Sequence, residues 1–329
     1  MATRAFDRCI CVSYRPGDDI HPDDHGERSP HRLRNDGASS VSARPIAAVT
    51  GASGYLGSRI SATLESHGWQ VVRLVRSPIQ GGARECFFSL DAPVSPEVVE
   101  ILGSTDLLVH AAYDLTLTRQ ADIWRVNVEG TRRLLQAASD ARVRRILVLS
   151  SMSAFEGTKQ LYGRAKLDIE AMTEEGGGCS VRPGLVYGED SGGMAGALRK
   201  FAGLPVVPLI AGDARLFTVS ENDLMTAIAA FASADTLPAG TISVAHPVPV
   251  PMRDLMIAFA ARGGANCRFV KVPWKPVYGF LRAAEAVGLH LPFRADSLLG
   301  LVRGAPHVVN QEILAGMGMV VHEFASPTS

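Results

Sequence analysis

The chain of 329 residues lacks an excess of either charge: 33 lysines and arginines face 33 aspartates and glutamates. With no net field to draw it to nucleic acid or to an anionic membrane, neither is expected as a partner. Cysteine is scarce and odd in number, five in all (Cys9, Cys11, Cys86, Cys179 and Cys267). That argues against a disulfide framework, and Cys9 and Cys11 have no second pair at zinc-site spacing, so no metal is expected. Incidental thiols in a reducing cytoplasm fit the count. Long apolar runs are missing too, since none reaches the ~18 residues that span a bilayer. Nor does an apolar core with a small-residue cleavage site open the chain, so an export signal is not expected. What remains, 47% apolar and 20% charged residues, describes an ordinary globular protein.

Residues 1–45 stand apart. They carry seven arginines, seven acids and three histidines without sustained periodicity. Such a segment buries too little apolar surface to offset its ordering entropy, and a disordered arm is expected. His21, His25 and His31 read as solvated side chains in preference to metal ligands.

From Ile46 the pattern becomes strand–helix alternation. Ile46 to Thr50, Gln70 to Arg76 and Glu85 to Leu90 read as strands. Leu107 to Ala111 and Ile146 to Ser150 are continuous apolar runs, as expected of central parallel strands covered on both faces. Helices are expected after the glycine turn that follows the first strand, through His67, over roughly Arg119 to Ala141, and from about Tyr162 to Glu175. This predicts an α/β fold, a doubly wound parallel sheet over residues 46–185, with right-handed crossovers. After Pro183 prolines break the rhythm. Residues 186–329 are expected to form mainly a smaller α+β lobe, with some segments returning to the sheet. Trp124, Trp274 and Phe280 sit among apolar residues at helical spacing and are expected to pack in cores.

The first strand runs into Gly51-Ala52-Ser53-Gly54-Tyr55-Leu56-Gly57 and then a helix. Gly51 permits the tight exit, Gly54 lets the backbone approach a pyrophosphate, and Gly57 allows close helix–sheet packing. The exposed amides and the helix dipole favour an anion there. A dinucleotide that binds at such a turn is selected at the end of the second strand, where an acid would favour NAD. This chain has Val75-Arg76-Ser77. A guanidinium suits a 2′-phosphate, so NADP(H) is expected as the preferred cofactor, with Arg76 as the main contact and Ser77 or Arg73 as helpers. If Arg76 is merely solvated, NAD(H) remains open.

Tyr162-Gly163-Arg164-Ala165-Lys166 sets a phenol and an ammonium four residues apart on one helix face. A phenol ionises near ~10, too high for ready proton exchange, and a neighbouring cation lowers it. The pair follows a strand that ends in Ser150-Ser151, at the carboxyl edge where such sheets bind ligands. Ser151 could hold a substrate oxygen while Tyr162 transfers a proton. A cofactor-binding sensor would have no need of that set, so an enzyme is expected. Arg215, after Gly212-Asp213, is either a clamp for a substrate diphosphate or a surface arginine.

These motifs together resemble the extended branch of the short-chain dehydrogenase/reductase superfamily, which holds nucleotide-sugar epimerases, dehydratases and reductases. The resemblance runs from about Ile46 to the C-terminus. Beyond the glycine turn, Ser151, Tyr162 and Lys166, it rests on His110-Ala111-Ala112, Asn127, Arg182-Pro183-Gly184, Thr218 to Leu224 and Ser297-Leu298. It implies that Ala111, Ala112, Pro183 and Lys166 lie against the cofactor and that Lys166 lowers the Tyr162 pKa. It also implies that Ser153 touches substrate, and that the helices carrying Asn127 and Tyr162 form a homodimer interface. Met152-Ser153 stands where family dehydratases carry an Asp-Glu pair, which argues against dehydration. The expected activity is reduction of a 4-keto nucleotide-sugar, or the reverse oxidation. A 4-epimerase comes next, and a hydroxysteroid or other small-carbonyl dehydrogenase after that.

Overall fold

Strands β1 (Ile46–Thr50), β2 (Gln70–Val75), β3 (Glu85–Phe87), β4 (Leu107–His110), β5 (Arg145–Leu149) and β6 (Cys179–Pro183) send alternate side chains into two cores. Ala47, Val49, Leu107, Val109, Leu147 and Leu149 enter one, and Ala48, Leu108, Ile146 and Val148 the other. That is the two-residue repeat of strands covered on both faces, and each buried Leu or Val contributes about 1.5–3 kcal/mol. The continuous apolar runs of the sequence have this cause. The computed structural model describes residues 44–77, 84–189, 192–264, 267–289, 291 and 293–324. The expected arm, with its histidines and with Cys9 and Cys11, lies outside them apart from Arg44 and Pro45.

The remaining strands are β7 (Leu185–Tyr187), β8 (Val206–Ile210), β9 (Arg215–Leu216), β10 (Thr218–Ser220), β11 (Gly240–Val244), β12 (Val250–Pro251) and β13 (Arg268–Val272). The main sheet has seven strands in the order β11-β6-β5-β4-β1-β2-β3, all parallel. The chain builds outward from β1 through β2 to β3, then restarts on the other side of β1 with β4. The carboxyl ends of β1 and β4 therefore flank a crevice, the switch point at which such sheets take ligands.

Helices α1 (Tyr55–Ser66), α2 (Pro96–Gly103), α3 (Gln120–Ile123), α4 (Glu129–Asp140) and α5 (Leu161–Glu175) accompany the first strands. Between α3 and α4, Trp124–Val128 forms a π-helical turn, so the expected long helix carries an extra residue in mid-course. Beyond them come α6 (Gly193–Ala202), α7 (Glu221–Ser233), α8 (Met252–Arg262), α9 (Trp274–Ala286), α10 (Ala295–Val302) and α11 (Gln311–Gly316). Leu224, Ile228 and Phe231 of α7 and Leu314 of α11 pack on the sheet core. Helices α6 and α8 share a further core, apart from the two on the sheet, with Val207 and Leu209 of β8.

One expectation fails here. Trp274 packs beside Leu281 and Leu298, but Phe280 on the same helix is 63% exposed. Helix α9 carries apolar residues on two sides, and only one of them meets a neighbour.

Candidate active site

The glycine turn lies at the carboxyl end of β1. Gly51 has φ +66°, and a Cβ there would stand 2.8 Å from the Ala112 nitrogen, so only glycine lets the turn touch the end of β4. Gly54 begins α1 without a side-chain cap, and the first turn holds no acid. The N–H groups of Tyr55, Leu56 and Gly57 are thus left to an external anion. Ser53 and Gly54 are exposed beside them, and Leu56 is half-buried. The Tyr55 hydroxyl donates to Glu221 Oε2 at 2.6 Å, and Glu221 also pairs with Arg59 at 3.0 Å. Burial, then the Glu221 carboxylate, pushes the Tyr55 phenol well above its usual range.

Across the crevice, a polar chain of fixed direction ties β1 to β4. The N–H groups of Ala111 and Ala112 both donate to Thr50 Oγ1 at 3.2 Å. Thr50 must then spend its own proton on His110 Nδ1, 2.7 Å away. The opposite nitrogen, Nε2, donates to Thr131 Oγ1 at 2.9 Å, and Thr131 donates to the Asn127 carbonyl at 2.7 Å. His110 is therefore neutral with its proton on Nε2. Burial, helped by the Lys166 charge, pulls its pKa down to about 3. Asn127, inside the π turn, holds the backbone of Asp114 through both ends of its amide.

Arg76 extends from the end of β2 with its side chain 72% exposed, 3.5 Å from Asp114 Oδ2. It is free to swing to another anion. Arg73, expected as a helper, is instead held in mid-strand by Glu65 of α1 at 2.8 Å.

On the other side of the switch point, Ser151, Ser153, Tyr162, Pro183, Tyr55, Leu56 and Arg215 line one cavity of about 520 Å³. Lys166 is buried beneath it and donates to the Leu149 carbonyl at 2.5 Å. Its ammonium stands 4.8 Å from the Tyr113 ring and 6.0 Å from the Tyr162 ring, and the two tyrosines meet edge to face at 5.0 Å. Burial raises the Tyr162 phenol, opposed by a hydrogen bond with the Ser151 hydroxyl. Burial also lowers Lys166 to about 8, against the pull of the Glu170 carboxylate. Burial thus favours the neutral form of each group and moves the two pKa values apart, and the expected lowering of the Tyr162 pKa by Lys166 is not met in the protein alone, where burial outweighs it. Gly163, next to Tyr162, packs so tightly that a Cβ would stand 2.1 Å from the Ser153 carbonyl oxygen.

Several groups here have no part in the sequence reading. Glu170, one turn beyond Lys166, is buried, accepts from Arg182 at 2.6 and 2.8 Å, and also takes the Ser150 hydroxyl. Its spacing from Lys166 was the visible signal. Gln160 and Arg294 line the cavity, and the side-chain oxygen of the first and Nε of the second are buried without a partner. Asp296, from α10, accepts the backbone N–H groups of Leu161 and Tyr162 at 2.8 and 3.2 Å. No local pattern announces that contact.

Comparison with known proteins follows the same outline. The model of the NAD dependent epimerase/dehydratase family matches residues 47–242. The chain is 25% identical over 240 residues to a ceramide reductase of Caulobacter vibrioides, covering 71% of this chain and 75% of that protein. It is 30% identical over 171 residues to the 4-hydroxy-2-methyl-3-oxo-4-farnesyl-3,4-dihydroquinoline-1-oxide ketoreductase of Stigmatella aurantiaca, over 43% of this chain and 50% of that one. The fold resembles that of MoeE5 in complex with UDP-glucose and NAD, with a TM-score of 0.58 and 21% identity over 78% of this chain and 96% of that one.

Proposed function

The chain belongs to the NAD dependent epimerase/dehydratase family, and we propose that it is a reductase that uses NADPH to turn a keto group on a largely apolar substrate into a secondary alcohol. One observation carries the reading. The cavity at Ser151 and Tyr162 is walled by Leu117, Ile123, Met152, Leu185, Met194, Leu216, Phe217, Phe293 and Leu301. Such walls favour hydrocarbon and penalise hydroxyl groups that find no partner. Both relatives named above are reductases by name. The unpartnered acceptor of Gln160 and donor of Arg294 suit one polar group, an amide or a hydroxyl, near the keto carbon. In this reading residues 46–185 hold the cofactor and residues 186–329 form most of the substrate lobe. Two copies pair through the helices that carry Asn127 and Tyr162, which light scattering of the purified protein checks.

The residues fit a nicotinamide dinucleotide. The uncapped start of α1 would hold the pyrophosphate, Arg76 a 2′-phosphate, and Lys166 the nicotinamide ribose. When bound, the nicotinamide supplies the hydride. Tyr162 gives its phenolic proton to the carbonyl oxygen, and the Ser151 hydroxyl holds that oxygen. The buried Lys166 ammonium stabilises the resulting phenolate and, near its pKa, can return a proton to it.

A second reading, reduction of a keto group on a nucleotide-linked sugar, has one observation in its favour. Arg215 lines the cavity and has no ion-pair partner among the described residues. Incubation with NADPH and a panel of long-chain amide ketones, steroid ketones and nucleotide-linked 4-keto sugars separates the two. Cofactor loss with the apolar ketones alone is expected. Turnover restricted to the sugars, and lost in Arg215→Ala, would replace the first reading by the second.

A further inference from the structure

Helix α9 has two apolar sides. Its inner side, Trp274, Val277, Tyr278 and Leu281, packs with Leu298 of α10 and with Phe293. Its outer side presents Phe280, Ala283 and Val287, spaced three and four residues apart and so aligned in one stripe along the axis. Phe280 is 63% exposed, Val287 81%, and Leu289 just beyond the helix 54%. Exposed apolar side chains are ordinary when single, but an aligned set on one short helix marks a contact surface.

The exposed charge along this stretch of the chain is of one sign. Arg268, Lys271, Lys275 and Arg282 are all exposed. Glu285 is the one acid between Arg268 and Leu289, and it is turned inward, with Oε1 on the Ala295 N–H at 2.9 Å. The balanced charge of the whole chain hides this local excess. No described helix is long and apolar enough to cross a membrane. We propose that α9 lies in the plane of an anionic phospholipid surface, with Phe280, Val287 and Leu289 in the acyl boundary and Lys275 and Arg282 on the phosphates. This departs from the expectation drawn from net charge. A second copy of the chain fits less well, because it would bring a second set of exposed cations beside the first with no exposed acid on this stretch to pair them. The inner side of α9 packs on α10, which supplies Ser297, Gly300 and Leu301 to the cavity wall. An apolar substrate drawn from a bilayer would thus meet the protein beside its site. The membrane contact itself does not depend on the reductase reading.

The full chain is sedimented with vesicles of phosphatidylcholine alone and of phosphatidylcholine with phosphatidylglycerol. Binding to the anionic vesicles is expected, weakened by added salt. Lys275→Glu with Arg282→Glu should weaken it tenfold or more, since each cation near an anionic surface contributes about a fivefold factor. Phe280→Ser with Val287→Ser should abolish it. Both double variants should still quench NADPH fluorescence like the parent, which shows that they are folded. Absence of binding to anionic vesicles, or binding unchanged in both variants, overturns the proposal. So does a fall in particle mass in Phe280→Ser with Val287→Ser measured without vesicles, which would make the stripe an interface between copies. Loss of reductase activity with vesicle binding intact would count against the proposed function alone.

Discussion

Asp296 and Tyr162 lie 134 positions apart, and the carboxylate of the first accepts the backbone N–H of the second at 3.2 Å. With its bond to Leu161, Asp296 caps the helix that carries both the phenol and the ammonium, a service that Gln160 in the capping position does not perform. Asp296→Ala is expected to lose about 0.5–2 kcal/mol in chemical denaturation and to lower kcat by misplacing Tyr162, with cofactor affinity held. Asp296→Asn keeps one acceptor oxygen for the two N–H groups and should recover part of each. Unchanged stability and rate in Asp296→Ala would show the cap to be idle.

Tyr162→Phe removes the proton and little else. Turnover of any ketone substrate should fall by about two to four orders of magnitude, the range of a positioned general acid. NADPH binding, followed by fluorescence, should stay within a few-fold of the parent. Equal activity in the two proteins would remove Tyr162 from the reaction.

Arg76 decides the cofactor in the proposed reading. Arg76→Ala should weaken NADPH by roughly tenfold to a hundredfold, the worth of about 1.5–3 kcal/mol for a charged hydrogen bond, and leave NADH nearly unchanged. Fluorescence titration with both reduced cofactors measures the two affinities. Equal losses for both would mean that the guanidinium meets no 2′-phosphate.

Lys166 should set an alkaline limb of kcat/KM. The ammonium is needed beside the phenolate, and burial lowers its pKa to about 8. Activity is therefore present below that value and lost as pH rises through it. The Glu170 carboxylate holds the pKa up, so Glu170→Gln should move the limb to lower pH. The same change weakens the buried pair with Arg182, and breaking such a pair costs about 3–5 kcal/mol. A limb that stays in place in Glu170→Gln would assign it to another group.

His110 makes the fold sensitive to acid. Its pKa falls from 6.5 to about 3 on folding. Within that window the unfolded chain binds a proton that the folded one refuses, so stability rises with pH and is lost as pH falls from 6.5 toward 3. Denaturation midpoints measured across the window should drop steeply in the parent and less in His110→Gln. Parallel slopes would exclude the ring as the cause.

Some of this was legible because it is local. The glycine turn, the runs at Leu107 and Ile146, and the spacing of Tyr162 and Lys166 each depend on a few adjacent residues. The strand and helix repeats and the backbone freedom of Gly51 act over that same range. They sufficed to place the crevice and to bring Ser151, Tyr162 and Lys166 to its edge.

What the chain alone determined is therefore the doubly wound parallel sheet and the polar set at its carboxyl end. Only the tertiary structure decided which distant group completes each local one. Asp296 reaches α5 because α10 packs against it, Arg182 meets Glu170 across β6 and α5, and Arg73 is lost to Glu65. It decided also that Trp274 is covered and Phe280 is not. A helix with two apolar sides satisfies its own periodicity either way, and burial is set by whichever neighbour arrives, a fact held in the packing of other segments and not in the helix itself.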